Sequence, residues 1–231
     1  MIFHGFQKMT LLDYPGKVAC TVFTGGCNLR CPFCHNAPLV TELAPAEDGF
    51  IEAEVLDTLK KRQGVLDGIA VTGGEPLLQP GLPAFLEKVR ALGLSIKLDT
   101  NGTFPDRLRE LVQNGLVDYV AVDIKNSRKK YALTVGVPDF RLDGIEKTVR
   151  FLLSGAVDFE FRTTVVQELH KPEDIADIAD WIAGAPRYFL QNFVDSGNLI
   201  GHDLHAVPKE TLTQMRDIAG KTVAQVGLRG V

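Results

Sequence analysis

The sequence predicts an α/β fold, an incomplete (β/α)6 TIM-like barrel with its active site at the C-terminal ends of the strands. Two features support this class. Short apolar runs rich in β-branched residues alternate with amphipathic helical patterns, and clusters of polar residues directly follow the apolar runs. The length of 231 residues suits one domain of intermediate size, so we expect a single domain over residues 1–231.

Six segments have the composition of buried strands. They are residues 18–23, 68–71, 95–98, 119–124, 159–166 and 188–193. Because helical patterns separate them, we expect the strands to pair in parallel, as repeated β–α units do.

The helical patterns carry apolar residues at three- and four-residue spacing, which assigns one face of each helix to the core. These residues are Leu82, Phe85, Leu86, Val89 and Leu92, then Ile145, Val149 and Leu152, and then Ile175, Ile178, Ala179 and Ile182. Pro105 and Pro172 suit the first turn of a helix. Gly93, Gly115 and Gly155 lie where helices should end.

Four polar motifs begin where predicted strands end. They are the cysteine segment after residue 23, Thr72-Gly73-Gly74-Glu75-Pro76, Asp99-Thr100-Asn101-Gly102 and Asp123-Ile124-Lys125. In a barrel of parallel strands the carboxyl ends converge on one face and build the active site. The position of the motifs therefore favours the barrel over an open doubly wound sheet, and it predicts one shared site.

The charge balance argues against nucleic acid as a partner. The formal net charge is -4, so the chain lacks the basic field that binds phosphate backbones. The basic cluster Arg128-Lys129-Lys130 is more typical of a solvated face than of a docking patch.

The N-terminal segment lacks the charged and apolar regions of a secretory signal. No apolar run approaches the roughly 20 residues that a membrane-spanning helix needs. We therefore expect a cytoplasmic protein without a membrane partner. In that reducing compartment, the four cysteines should serve a metal or catalytic role rather than form disulfides.

Three of the cysteines form the motif Cys27-x-x-x-Cys31-x-x-Cys34, in a predicted loop over residues 24–36. Three thiolates leave one coordination position of a metal open, as chemistry on a substrate requires. The alternative is a structural zinc site closed by His35 or Cys20. Cys20, however, lies in the middle of a strand, where a free cysteine is usually a small buried hydrophobe.

This cysteine motif, followed by Gly-Gly-Glu-Pro, resembles the radical S-adenosylmethionine (SAM) superfamily, and the resemblance covers most of the chain. It implies that Cys27, Cys31 and Cys34 bind three irons of a 4Fe-4S cluster, and that SAM chelates the fourth. One electron would then cleave SAM to methionine and a 5′-deoxyadenosyl radical, with the cofactor carrying the difficult chemistry.

The resemblance also implies which residues contact SAM. Phe33 should lie beside the adenine, and Gly73, Gly74 and Glu75 at the methionyl amino group. Arg162 should help to bind SAM. Near SAM and, in some relatives, near a monovalent cation, we expect Asp99, Thr100, Asp123 and Lys125. Other interpretations stay open for single residues. Asp99 could be an ordinary turn residue, Arg162 could lie exposed on an edge strand, and Phe33 could be a core residue.

Within the superfamily, the chain most resembles activating proteins of glycyl radical enzymes. The residues that carry this resemblance are Asp13-Tyr14-Pro15-Gly16, Cys34-His35-Asn36 and the two aspartate motifs. The opening from Thr10 to Gly16 is most similar to anaerobic ribonucleoside-triphosphate reductase activating proteins. This implies hydrogen abstraction from a glycine of a partner glycyl radical enzyme, with a flavodoxin- or ferredoxin-type electron donor.

Three alternatives remain open at this stage. The partner could be pyruvate formate-lyase or another glycyl radical enzyme, the radical could act on a small molecule, and the chain could be a structural zinc-binding module. The polar region over residues 191–205 could close the site, contact the partner or form a solvated loop.

Overall fold

The structure of the chain, a computed structural model, describes residues 1–42, 45 and 48–230. The strands are β1 Ile2–Phe3, β2 Gly5–Thr10, β3 Ala19–Thr24, β4 Phe50–Ile51, β5 Gly68–Gly73, β6 Ser95–Thr100, β7 Tyr119–Asp123, β8 Asp158–Val165, β9 Arg187–Asn192 and β10 Gln225–Arg229. The helices are α1 Pro38–Thr41, α2 Glu52–Lys61, α3 Leu82–Ala91, α4 Pro105–Gln113, α5 Tyr131–Val135, α6 Asp143–Leu153, α7 Pro172–Trp181 and α8 Lys209–Ala219, and a 3-10 turn covers Pro76–Leu78.

The chain divides into two compact units, each made of three sequence segments. Unit 1 comprises Met1–Asn28, Pro38–Thr100 and Asp106–Val120, and unit 2 comprises Leu29–Ala37, Asn101–Pro105 and Ala121–Val231. The single domain expected over residues 1–231 stays a prediction.

Unit 1 is built on parallel strands. β5 pairs in parallel with both β3 and β6, while β2 pairs with β3 in the antiparallel direction. The β3–β5 register sets Thr24 beside Gly73, so the carboxyl ends of these two strands meet. The apolar face of α3 is buried as its periodicity predicts, and Phe85 on this face packs against Phe3 at a ring-centroid distance of 4.8 Å.

Unit 2 follows the same plan with β8, β9 and β10, which pair in parallel in that order. Helices α6 and α7 bury the apolar stripes that the sequence predicts. The buried members are Ile145, Val149, Leu152, Ile175, Ile178, Ala179 and Ile182.

The α/β class and the six predicted strands are confirmed. α4 begins at Pro105 and α7 at Pro172, as expected. β5 and β6 continue two residues further than predicted, through Gly73 and Thr100. The first two residues of both polar motifs therefore belong to the strands. Val18, by contrast, lies outside β3.

Sequence analysis did not predict β1, β2, β4 or β10. β1 and β4 have two residues each, β2 contains three consecutive exposed residues, and β10 has no fully buried residue. None of them therefore shows the alternating burial from which a strand is recognised. No helix in the described part of the chain is long and apolar enough to cross a membrane.

Candidate functional site

The cysteine segment supplies three thiols within eight residues, and after Thr24, the last residue of β3, it contains no helix or strand. Cys27 belongs to unit 1, and Cys31 and Cys34 belong to unit 2. None of the three forms a disulfide; Cys31 is buried and the other two are partly exposed. The Cys34 N–H donates to the Cys31 carbonyl oxygen at 3.1 Å, which closes a tight turn between them. Three thiols at this spacing fit a cluster with three protein ligands.

Two glycines of unit 2 hold the chain on either side of Cys31. The Arg30 N–H donates to the last carbonyl of α5 at 2.9 Å, and the Gly201 N–H donates to the Pro32 carbonyl at 2.8 Å. A Cβ atom at Gly136 would lie 2.3 Å from the Arg30 carbonyl oxygen, and one at Gly201 would lie 2.6 Å from the Pro32 Cβ. Only glycine permits these approaches, so the backbone beside Cys31 is closely packed.

A second glycine contact, within unit 1, joins the Gly73-Gly74 motif to the start of the cysteine segment. Gly74 N–H donates to the Thr24 carbonyl and Glu75 N–H to the Gly26 carbonyl, both at 2.8 Å. A Cβ at Gly73 would lie 2.3 Å from the Thr24 backbone, and one at Gly74 would lie 2.0 Å from the Gly26 oxygen. Only glycine permits these approaches, so the motif packs directly against the backbone that leads into the cysteine segment.

Glu75 and Thr100, both predicted SAM contacts, bond to each other. Glu75 is fully buried, and its Oε1 accepts from Thr100 Oγ1 at 2.8 Å and from the Leu77 N–H at 3.0 Å. A buried carboxylate needs such donors. Glu75 thus caps the 3-10 turn that follows the glycine motif and fixes that motif relative to β6.

Asp99 also lies in unit 1, and it has a partner that sequence analysis missed. The Lys97 ammonium contacts the Asp99 Oδ1. The Lys97 side chain is only 2% exposed and that of Asp99 is 15% exposed. The available signal was a lysine inside an apolar strand, two positions before an aspartate, because residues i and i+2 of a strand share one face.

Asp123, Lys125 and Arg162 come together in unit 2. Arg162 Nε donates to Asp123 Oδ1 at 2.9 Å, and Lys125 Nζ donates to Oδ2 at 3.1 Å. Burial favours the neutral carboxyl, but the two cations outweigh it and hold the pKa of Asp123 well below its usual range. The Arg162 side chain therefore points to Asp123 and is only 13% exposed, which excludes an exposed position on an edge strand.

Lys125 is electrostatically linked to the cysteine segment. Burial alone would lower the pKa of Lys125, but the negative charge of Asp123, and next that of Cys31, raises it above its usual range. The positive charge of Lys125 thus lies within electrostatic range of Cys31.

Phe33 is buried and packs edge-on against His170, with 6.4 Å between ring centroids. The His170 Nδ1 accepts from the Val166 N–H at 3.0 Å, and its Nε2 lies 2.8 Å from the Lys125 carbonyl oxygen. Because a carbonyl only accepts, Nε2 carries the proton in the neutral ring. Burial lowers the pKa of His170 and so favours that form. No local pattern distinguished His170 in the sequence.

The proposed fourth ligands of a zinc site have other surroundings. Cys20 is fully buried in β3, and burial raises the pKa of its thiol to about 12, which disfavours the thiolate a metal needs. The His35 ring packs near Phe193, with 5.8 Å between centroids. Cys20 is thus a core residue, as its strand position indicated.

The remaining polar features have structural partners. The Asn101 Oδ1 accepts from the backbone N–H and the hydroxyl of Thr103, which is ordinary turn chemistry.

In the basic cluster, Arg128 and Lys129 are exposed, whereas Lys130 pairs with Asp174 at 2.5 Å. The polar region after β9 lines a cavity of about 690 Å³ within unit 2, bounded by residues 193–206.

Comparisons with known proteins cover nearly the whole chain. The family model described as the radical SAM superfamily matches residues 21–182. A protein of Methanocaldococcus jannaschii, provisionally named a glycyl-radical enzyme activating enzyme, is 31% identical over 98% of this chain and 95% of its own length. The pyruvate formate-lyase-activating enzyme of Clostridium pasteurianum is 34% identical over 53% of this chain and 52% of its own length.

The same fold occurs in a solved structure. Streptococcus suis SuiB bound to S-adenosylmethionine superposes with a TM-score of 0.71 at 14% identity, over 90% of this chain and 49% of SuiB. This chain therefore spans about half the length of SuiB and of the Clostridium enzyme.

Proposed function

We propose that this chain, which belongs to the radical SAM superfamily and is an oxidoreductase of that class, activates a glycyl radical enzyme. The observation that carries the reaction class is the set of three thiols outside any disulfide at Cys27, Cys31 and Cys34, at the spacing of the superfamily. Similarity to the Methanocaldococcus protein along nearly its entire length supports the activase class. The proposed partner is anaerobic ribonucleoside-triphosphate reductase, which the opening of the sequence favours.

The three thiolates would hold a 4Fe-4S cluster with one iron left for SAM. The chemistry supplied by that group when bound is a one-electron reduction of the SAM sulfonium, which yields methionine and a 5′-deoxyadenosyl radical able to take a glycine α-hydrogen. Among the residues described, no three His, Cys, Asp or Glu side chains are grouped as an assembled metal site. The ligand assignment therefore rests on spacing and on family membership.

The other residues of the site would bind and orient SAM. In unit 1, the backbone of Gly73 and Gly74 would bind the methionyl amino group, and the Glu75–Thr100 bond holds that backbone in position. Asp99 is assigned to the same ligand.

In unit 2, Asp123 stays ionised between Lys125 and Arg162 and offers SAM a fixed, polarised group. Phe33 would face the adenine, and His170 holds its ring from the edge. The electron would come from a flavodoxin- or ferredoxin-type donor.

Pyruvate formate-lyase is the second candidate partner. The favouring observation is the similarity to the Clostridium activating enzyme over about half of each chain. A radical reaction on a small molecule ranks third, because the full-length relative carries an activase name.

Anaerobic reconstitution with iron and sulfide tests the reaction class. The reduced protein should convert SAM to methionine and 5′-deoxyadenosine, and omission of the reductant should stop the conversion. Absence of 5′-deoxyadenosine from a protein with its iron bound would refute the proposal.

Electron paramagnetic resonance tests the partner. The reconstituted protein, SAM and reductant are mixed separately with anaerobic ribonucleotide reductase and with pyruvate formate-lyase. A glycine-centred signal is expected in the first mixture. A signal only in the second would transfer the assignment to pyruvate formate-lyase, and no signal with any co-encoded partner would favour a small-molecule substrate.

A further inference from the structure

The first observation is a positive charge built into the core of unit 1. Lys97 lies in the middle of β6, its side chain is 2% exposed, and its ammonium contacts the Asp99 carboxylate. A lysine is almost never buried to this degree without a charged partner. Because the two residues are two positions apart on one strand, their geometry is set by the strand itself.

The second observation is that Asp123, in unit 2, already has two cationic partners. Arg162 bonds to one carboxylate oxygen at 2.9 Å and Lys125 to the other at 3.1 Å. A metal cation at the same oxygens would compete with both donors and would be repelled by two positive charges. The carboxylate does not fit a monovalent cation site of its own.

The resemblance implied a monovalent cation near the two aspartates, and these pairings disagree with it. Cations such as K⁺ and Na⁺ bind through oxygen atoms that are free to coordinate, whereas an ammonium is a compact point charge that donates its own hydrogen bonds. At both aspartates the chain itself presents the positive charge.

We infer that Lys97, Lys125 and Arg162 replace the monovalent cation in this protein, with Lys97 acting at Asp99, so that the chain binds SAM without K⁺ or Na⁺. The inference rests on the proposed function, since it concerns the binding of SAM. Lys97 is a positioning residue, because it acts on the ligand through Asp99. Lys125 and Arg162 act in the same way through Asp123.

Calorimetric titration of SAM into the reconstituted wild-type protein tests this directly. The titration is run in tetramethylammonium buffer, and again with K⁺ or Na⁺ at the same ionic strength so that screening is constant. The Kd should agree within about twofold among the three buffers, since screening is matched. A Kd that improves about tenfold or more with either metal ion would overturn the inference.

Lys97→Met tests the residue itself, since methionine keeps most of the side-chain volume and removes the charge. In tetramethylammonium buffer its Kd for SAM should be weaker by about tenfold, as expected for loss of a charge-assisted contact. Added K⁺ or Na⁺ should restore part of the affinity, because the metal ion can supply the positive charge that the variant lacks. A merely structural lysine would show no such rescue.

The matched control is Lys61→Met, which removes a lysine of an exposed ion pair with Asp57. It should bind SAM as the wild type does in every buffer. Lys97→Met with wild-type affinity, or with a loss that no cation restores, would overturn the role of Lys97. If that variant does not fold, the wild-type comparison among buffers decides. Wild-type protein that binds SAM in no buffer would instead refute the proposed function, and this inference with it.

Discussion

Gly74 lies so close to Gly26 that a Cβ atom on Gly74 would stand 2.0 Å from the Gly26 carbonyl oxygen. The contact joins the end of β5 to the entry of the cysteine segment. It exists because β3 and β5 are parallel and in register, with Thr24 beside Gly73. The spacing of backbone segments therefore sets the geometry at the start of the cysteine motif, together with the hydrogen bond that Gln79 Nε2 donates to the Gly25 carbonyl at 2.7 Å.

Gly74→Ala should destabilise the protein. The added methyl group meets a backbone oxygen that has little freedom to move, so the cost should be about 2–3 kcal/mol, as for overpacking. In a chain of this size that should lower Tm by about 4–12 °C in thermal denaturation. Gly220→Ala is the control, because its Cβ would meet nothing closer than 3.3 Å. Equal Tm values for the two variants would contradict the close contact.

The four cysteines should separate into two classes when each is replaced by alanine. Loss of Cys27, Cys31 or Cys34 should abolish iron retention and SAM cleavage after reconstitution. Cys20→Ala should keep both and lose about 1 kcal/mol of stability, because Cys20 is a buried side chain with a disfavoured thiolate. Iron and sulfide analysis of each variant checks this, and an iron-free Cys20 variant would contradict it.

Arg162→Met should destabilise the protein by about 1–3 kcal/mol, because it removes one of the two cations that satisfy the Asp123 carboxylate. Urea unfolding at neutral pH measures the change. Arg141→Met is the matched control, since it breaks an arginine–aspartate pair of equal type in which both side chains are exposed. It should change stability little. Equal losses of stability in the two variants would show that the burial of the Arg162–Asp123 pair adds nothing to its contribution.

His170 should make stability depend on pH. Burial holds the pKa of His170 in the folded state below the usual histidine value of about 6.5. Well above that pH the ring is neutral in both the folded and the unfolded state, so its full contribution to stability is present. Below it the unfolded chain binds a proton that the folded chain resists, so stability falls as pH decreases, by up to about 1.4 kcal/mol per pH unit. Protonation would also break the bond that Nδ1 accepts from Val166.

Urea unfolding from about pH 7.5 to about pH 5.5 measures this dependence. His170→Gln should be less stable near neutral pH but should show a smaller loss on acidification. His202→Asn, at an exposed histidine, should keep the wild-type slope. A slope unchanged in His170→Gln would assign the acid sensitivity to other groups.

Periodicity accounts for the parts of the fold that the sequence predicted. Each long strand alternates with a helix whose apolar stripe is buried, so the repeats of two and 3.6 residues identify both. The short strands and β10 carry no such repeat, and only pairing with a neighbour makes them strands. The glycine motifs could be recognised in the sequence, but which backbone segments they contact could not.

By itself, the sequence determined the α/β class, the three thiols of the cysteine motif and the family, since each depends on spacing along the chain. Tertiary structure alone decided that Glu75 bonds to Thr100, that His170 supports the Lys125 carbonyl and that Arg162 turns to Asp123. These contacts join residues that lie 25 to 45 positions apart. Their geometry follows from strand register and helix packing, which no local pattern of residues encodes.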